Sequence, residues 1–156
     1  MDFKPNKKLG FGLMRMPLMD PKNDADVDIE QVCKMVDIFI EKGFTYFDTA
    51  WMYNGFASES VAKKALVDRY DRDRFTLSTK LHCGFFDNEE EREKYFETQL
   101  TNTGAGYFDY YLIHGIEDAG PIAALVARRH HVPFVFEKHS DPASYKKGGL
   151  DRKSVV

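Results

Sequence analysis

A parallel α/β sheet is the fold class predicted by this sequence, and three observations carry the prediction. Runs rich in aromatic and β-branched residues, at 44–47, 75–81 and 107–114, have the composition of buried strands. Between them lie segments whose apolar residues recur at helical spacing. With a short N-terminal strand the order is strand, helix, strand, helix, strand, helix, strand, the pattern of right-handed parallel crossovers. The three stronger runs also deliver an ionisable side chain at or just past their carboxyl ends: Asp48, Lys80 and His114. Reactive groups of parallel barrels sit at such strand ends and in the loops just beyond them. Tyr53, five residues after Asp48, falls in one of those loops, and a buried acid beside a buried phenol is a place to look for chemistry.

The first strand is expected over about residues 11–16, following Leu9-Gly10-Phe11-Gly12. The two glycines signal a tight turn or a close backbone approach. A hairpin turn is preferred to a phosphate-binding loop, because a third glycine and a long preceding strand are missing. Residues 20–26 read as a polar loop. Ile29, Val32, Cys33, Val36, Phe39 and Ile40 then mark one face of a helix over residues 28–42. Asp28 with Gln31 has the form of a capping box, and Gly43 stands where that helix should stop. Asn54-Gly55 is a turn, and Ser58 is placed as the cap of a second helix to about Tyr70, burying Val61, Ala62, Ala65 and Leu66. Residues 71–74, Asp-Arg-Asp-Arg, read as a solvated connection. The next strand carries Thr76, Ser78 and Lys80 on one face; a lysine on a buried face needs a partner, and Asp48 is that partner. Asn88 and Glu91 open a third, strongly charged helix that ends near Thr103, with Tyr95, Phe96 and Leu100 as its apolar positions and Gly104 as its stop.

At 156 residues the chain can bury one sizeable core, yet a complete α/β barrel typically needs about 250. No apolar run approaches the roughly 20 residues of a membrane span, and Met1-Asp2-Phe3-Lys4-Pro5 has no apolar signal region, so a cytoplasmic protein without a membrane partner is expected. Cys33 and Cys83 form neither a disulfide framework nor a metal site by spacing and read as reduced packing thiols. The net charge is −3, divided into −7 over residues 1–118 (15 basic, 22 acidic) and +4 over residues 119–156 (7 basic, 3 acidic). No interleaved aromatic register accompanies the basic segment, so no nucleic-acid partner is expected.

In their order and spacing, several pieces resemble the aldo/keto reductase family. They are Leu9-Gly10-Phe11-Gly12, Gly43-Phe44-Thr45-Tyr46-Phe47-Asp48-Thr49-Ala50 with Tyr53, Ser58-Glu59, Ser78-Thr79-Lys80, and Asp109-Tyr110-Tyr111-Leu112-Ile113-His114. The resemblance covers residues 7 to about 118 and implies the N-terminal half of a (β/α)8 TIM barrel. It also implies reduction of a small aldehyde or ketone to an alcohol with NADP(H) and no metal. By the same resemblance Asp48, Tyr53, Lys80 and His114 are the catalytic tetrad. Tyr53 would protonate the nascent alkoxide, helped by the Lys80 cation, which favours the phenolate. Asp48 would orient Lys80, and His114 would hydrogen-bond the carbonyl oxygen. Gly12, Leu13, Met14 and Asp48 match the stretch that approaches the nicotinamide, with Arg15 beside it. Trp51, between two tetrad members, is expected to line the substrate pocket. His82 and Cys83 are read as structural.

After about Asp118 the resemblance stops. Residues 119–156, with Arg128-Arg129-His130-His131 and several prolines and glycines, show no helical period and read as an irregular, frame-shifted tail. The final Asp151-Arg152-Lys153-Ser154-Val155-Val156 is similar to translated sequencing-adapter DNA, so a longer natural reductase is expected. His130, His131 and His139 are accordingly not taken as metal ligands. Two other readings stand beside the reductase: a truncated, catalytically inactive half-barrel, and a non-catalytic interaction subunit.

Overall fold

The strands pair in chain order, β1 (Gly10–Gly12), β2 (Tyr46–Asp48), β3 (Thr76–His82) and β4 (Tyr110–His114), and every neighbouring pair is parallel. This is a computed structural model; it describes residues 7–114, with the side chains of Cys83, Ile113 and His114 excepted. The tail at residues 119–156, with its three histidines, lies outside the described residues. A parallel pair needs a crossover, and each crossover carries a helix: α1 (Ile29–Glu41), α2 (Ser58–Ala62) and α3 (Glu89–Thr103).

Local chemistry sets the helix ends. The Asp28 carboxylate accepts the Gln31 amide at 2.9 Å ahead of α1, and Gly43 follows it at φ +79°. Asn88 accepts the Glu91 amide at 3.0 Å, the Glu91 carboxylate accepts the Asp87 amide at 2.8 Å, and Gly104 closes α3 in the left-handed region. Helix α2 departs from expectation. Ser58 lies inside it rather than capping it, and its hydroxyl joins Thr49 Oγ1 (2.7 Å) and the Leu13 carbonyl (2.8 Å). A single π-helical segment, Lys63–Val67, continues α2, and Val61, Ala62, Ala65 and Leu66 are all buried as the periodicity requires.

Three further expectations are corrected. Strand β1 spans Gly10–Gly12 rather than residues 11–16, and its glycines belong to the sheet instead of a hairpin turn. A Cβ at Gly10 would stand 2.7 Å from the Tyr46 ring, so glycine is what lets β1 approach β2. Residues 71–74 are not merely solvated. The Arg72 guanidinium donates to the carbonyls of Phe75 (2.9 Å) and Tyr107 (3.0 Å) and to Asp109 Oδ2 (2.6 Å), while the same Asp109 oxygen accepts the Leu77 amide (2.8 Å). The start of β3 is thereby tied to the approach to β4 by charge-assisted bonds. Finally, α3 buries Tyr95, Gln99 and Thr103, whereas Phe96 and Leu100 are only half-buried.

The apolar core lies between the sheet and α1 and α2. Phe47, fully buried at the centre of β2, has ring neighbours Phe39 at 5.2 Å, Phe11 at 5.6 Å and Phe75 at 6.4 Å. No helix among the described residues is long and apolar enough to cross a membrane.

Candidate active site

In a strand, residues two apart share a face, so Tyr46 and Asp48 on β2 and Ser78 and Lys80 on β3 point the same way. The register sets Asp48 opposite Ser78, with Lys80 two residues further toward the carboxyl edge. Asp48 Oδ1 accepts Ser78 Oγ at 2.8 Å, and Asp48 Oδ2 accepts Lys80 Nζ at 2.5 Å. A third bond runs from Lys80 Nζ to the Thr49 carbonyl at 3.0 Å. The Lys80 side chain is 6% exposed and that of Asp48 25%. The pairing expected from the alternation of β3 is present, and burying an ammonium to this degree is unfavourable without such partners. Tyr46 joins the set through Ser78, oxygen to oxygen at 2.9 Å.

Tyr53 is brought to this group by the loop after β2. Its ring centroid lies 4.9 Å from Lys80 Nζ, and the residue is buried. The loop is held by tight turns: the Tyr53 amide donates to Ala50 O at 3.2 Å and the Ala57 amide to Asn54 O at 2.9 Å. Asn54 and Phe56 both adopt positive φ, 50° and 69°. Left-handed backbone at an aromatic residue costs free energy, and such strain gathers at functional loops. The Phe56 ring packs edge-on against Trp51 at 5.1 Å. Trp51 in turn meets Phe85 (5.1 Å) and Tyr95 (4.9 Å), forming an aromatic group beside the rim. Phe56 and Phe85 remain 51% and 39% exposed, so this group faces outward as well as inward.

The other sequence-derived positions fall as follows. His114 ends β4 opposite His82 in the register; its imidazole lies outside the described side chains. His82 holds the turn after β3, its Nδ1 accepting the Gly84 amide at 3.0 Å. Gly12 ends β1 level with Asp48, and nothing stands within 4 Å of where its Cβ would be. Met14 is exposed beside it. Leu13 is buried, with its amide bonded to Asp48 O (2.8 Å) and its carbonyl to Ser58 Oγ. Among the described residues no group of three or more His, Cys, Asp or Glu side chains could hold a metal ion.

Behind the sheet lies a polar cluster that the strand and helix patterns alone do not announce. Glu59 is fully buried; its Oε1 accepts Thr79 Oγ1 (2.9 Å) and Gln99 Nε2 (2.9 Å), and its Oε2 accepts Asn102 Nδ2 (3.0 Å). The signal was available. Glu59 and Gln99 sit on the stripes Glu59-Ala62-Leu66 and Tyr95-Gln99-Thr103, where the helical period demands buried residues. Burial pushes the Glu59 carboxyl above the ordinary glutamate range, against the lowering effect of its three hydrogen-bond donors. Burial, and to a lesser degree the charges of Tyr95 and Glu59, likewise raise the Tyr111 phenol.

The sign of the Glu59 effect is fixed by linkage. The folded chain holds this proton to higher pH than the unfolded chain, so the associated stability is complete below the ordinary glutamate value and is lost as pH rises through the raised one. Thermal unfolding followed across that window is expected to show a midpoint falling with pH. Glu59→Gln should remove that part of the slope; parallel curves for the two proteins would contradict it.

The model of the family described as "Aldo/keto reductase family" matches residues 8–132. The chain belongs to the aldo/keto reductase family. A probable aldo-keto reductase 1 of Glycine max is 30% identical over 129 residues, covering 76% of this chain and 36% of its own length. Aldo-keto reductase family 1 member C4 of Macaca fascicularis is 32% identical over 111 residues, 68% of this chain and 31% of that protein. The chain thus spans about a third of the length of these relatives. Among solved structures, an aldo-keto reductase from Klebsiella pneumoniae in complex with NADPH superposes with a TM-score of 0.55 at 22% identity, covering 79% of this chain and 42% of that one. A thermostable aldo-keto reductase in complex with the inhibitor epalrestat gives 0.52 at 24% identity, with coverage of 80% and 45%. These likenesses establish the fold: the four parallel strands are part of an aldo/keto reductase barrel.

Proposed function

We propose that this aldo/keto reductase chain carries the acid-base half of an NADP(H)-dependent carbonyl reductase. The observation that carries the reading is the position of the Lys80 ammonium, bonded to Asp48 at 2.5 Å and 4.9 Å from the ring of Tyr53. Tyr53 is the general acid: its hydroxyl gives its proton to the carbonyl oxygen as that oxygen gains charge. Lys80 stabilises the phenolate left behind, and Asp48 holds the ammonium in place and balances its charge. His114, at the end of the next strand, donates a hydrogen bond to the same carbonyl oxygen. Trp51, with Phe56 and Phe85 packed around it, supplies an apolar wall for a small aldehyde or ketone.

Bound cofactor supplies the hydride, which no side chain can give. The residues at the β1 edge fit its flat ring: the open space above Gly12 lies level with Asp48, and Met14 is exposed next to it. Leu13 acts from beneath, fixing that backbone through its bonds to Asp48 and Ser58. In this reading residues 1–118 are the barrel segment, although the family match itself reaches residue 132.

The match covers 42% and 45% of the solved reductases the chain resembles, so most of a cofactor's contacts would have to come from beyond the matched segment. Fluorescence titration of the purified chain with NADPH is therefore expected to show weaker than micromolar binding. Tight, saturable binding would overturn that expectation. Transferring residues 8–114 into the corresponding segment of a full-length family member provides the test of function. The chimera should reduce small aldehydes, and one that binds NADPH but never turns over would favour the non-catalytic subunit instead.

A further inference from the structure

The polar cluster behind the sheet reaches the site from the side opposite to the chemistry. Gln99 Nε2, besides its bond to Glu59, lies 3.1 Å from the Lys80 carbonyl and 3.0 Å from Thr79 Oγ1. Its Oε1 accepts the Tyr111 hydroxyl at 2.7 Å. Two consecutive residues of β3 are thus gripped from the helix layer, Thr79 by its hydroxyl and Lys80 by its carbonyl, while the Lys80 side chain leaves toward Asp48 on the opposite face. Glu59, Thr79 and Gln99 are all fully buried. Burying a carboxylate whose hydrogen-bond donors, Thr79, Gln99 and Asn102, are all neutral is unfavourable relative to apolar packing, and apolar residues on the same stripes would complete the core more cheaply. What an apolar stripe could not provide is a directional hold on one peptide group.

We infer that Gln99, itself fixed by Glu59 and Tyr111, is a positioning residue for Lys80: its amide holds the peptide that follows the lysine and so aims the ammonium at Asp48 and Tyr53. The inference rests on the proposed role of Lys80. The register of β3 with β2 ends at Ser78, two residues before Lys80, so on that side no strand ladder holds the peptide after the lysine, and rotation of that peptide swings the Cα–Cβ direction of the lysine. A fully satisfied buried network suppresses the rotation because each member has lost its alternative partner in water. Pre-aligned site residues commonly depend on such a supporting layer of bonds.

Competitive labelling of the 156-residue chain with an amine reagent, read by mass spectrometry, tests this without cofactor or substrate. In the wild-type chain Lys80 should label far more slowly than Lys94, whose side chain is 71% exposed. Gln99→Met should raise Lys80 labelling by about five-fold or more, the factor one hydrogen bond's net stabilisation sets. It should also abolish the nitrogen-15 NMR signal of the shielded Lys80 ammonium. Asn88→Ala, which weakens the start of the same helix without touching the cluster, should leave both unchanged; equal loosening in the two variants would reduce Gln99 to a structural residue. The exchanged pair Glu59→Gln with Gln99→Glu separates the bonds further. Read at a pH where the exchanged carboxyl is ionised, it keeps a donor and an acceptor between the two helices but presents no donor to the Lys80 carbonyl, so Lys80 should label fast while the unfolding midpoint stays near wild type. Protection of Lys80 in the exchanged pair would overturn the inference, as would failure of both variants to fold. Fast labelling of Lys80 in the wild-type chain would instead sink the reading of the site itself. Asp48→Asn distinguishes the remaining case: if it exposes Lys80 and Gln99→Met does not, the site stands and the positioning role falls.

Discussion

Tyr53→Phe, introduced into the chimera described above, is expected to lower the rate of aldehyde reduction by about 10²–10⁴-fold, the usual contribution of a positioned general acid. The substitution removes one oxygen and leaves the ring that faces Lys80 Nζ at 4.9 Å, so the ammonium keeps its bonds to Asp48 and Thr49. NADPH binding should accordingly survive. The two results must occur together. A phenylalanine variant retaining a tenth or more of the rate would remove Tyr53 as the acid. Loss of cofactor binding along with the rate would make the residue structural. Steady-state reduction followed by NADPH absorbance, beside a fluorescence titration of the same sample, measures both.

Phe47→Ala should produce the largest loss of stability, about 3–5 kcal/mol, because deleting a fully buried ring removes its transfer free energy and leaves a cavity. Phe47 sits at the centre of the short strand that carries Asp48, with the rings of Phe11, Phe39 and Phe75 around it. These three come from β1, α1 and the approach to β3, so the cavity would loosen the elements that converge on the site. Chemical denaturation should show the midpoint moved strongly downward, or no cooperative transition at all. A shift of under about 1 kcal/mol, the ordinary size of a surface substitution, would mean that the core is centred elsewhere.

The pairing of Asp48 with Lys80 was legible because both of its ingredients are periodic. Strand alternation places Lys80 on the face of Ser78, and a lysine on the inner face of a parallel sheet must meet an acid from a neighbouring strand. Asp28 and Asn88 were legible for another reason: a cap bonds an amide three residues ahead, and that separation needs no knowledge of the fold. Ser58 shows how the same signal misleads. It has the residue type and position of a cap, but its hydroxyl is engaged by Leu13, 45 residues earlier in the chain. Gly10 has the sequence signature of a turn, although it answers a steric demand from the Tyr46 ring. Arg72 lay in a stretch of alternating charge that reads as solvated, yet Asp109 and Tyr107 claim it.

By itself the sequence determined the order of strands and helices, most of their ends, and which ionisable groups stand at the carboxyl edge. Each follows from periodicity or from bonds spanning a few residues, and such information is local. The tertiary structure alone decided which polar residues on the buried stripes find one another. Glu59 and Gln99, 40 residues apart, are two misfits in an apolar pattern until α2 and α3 pack on the same side of β3. A buried hydrogen bond depends on direction as well as burial, and direction is fixed only once the layers are stacked.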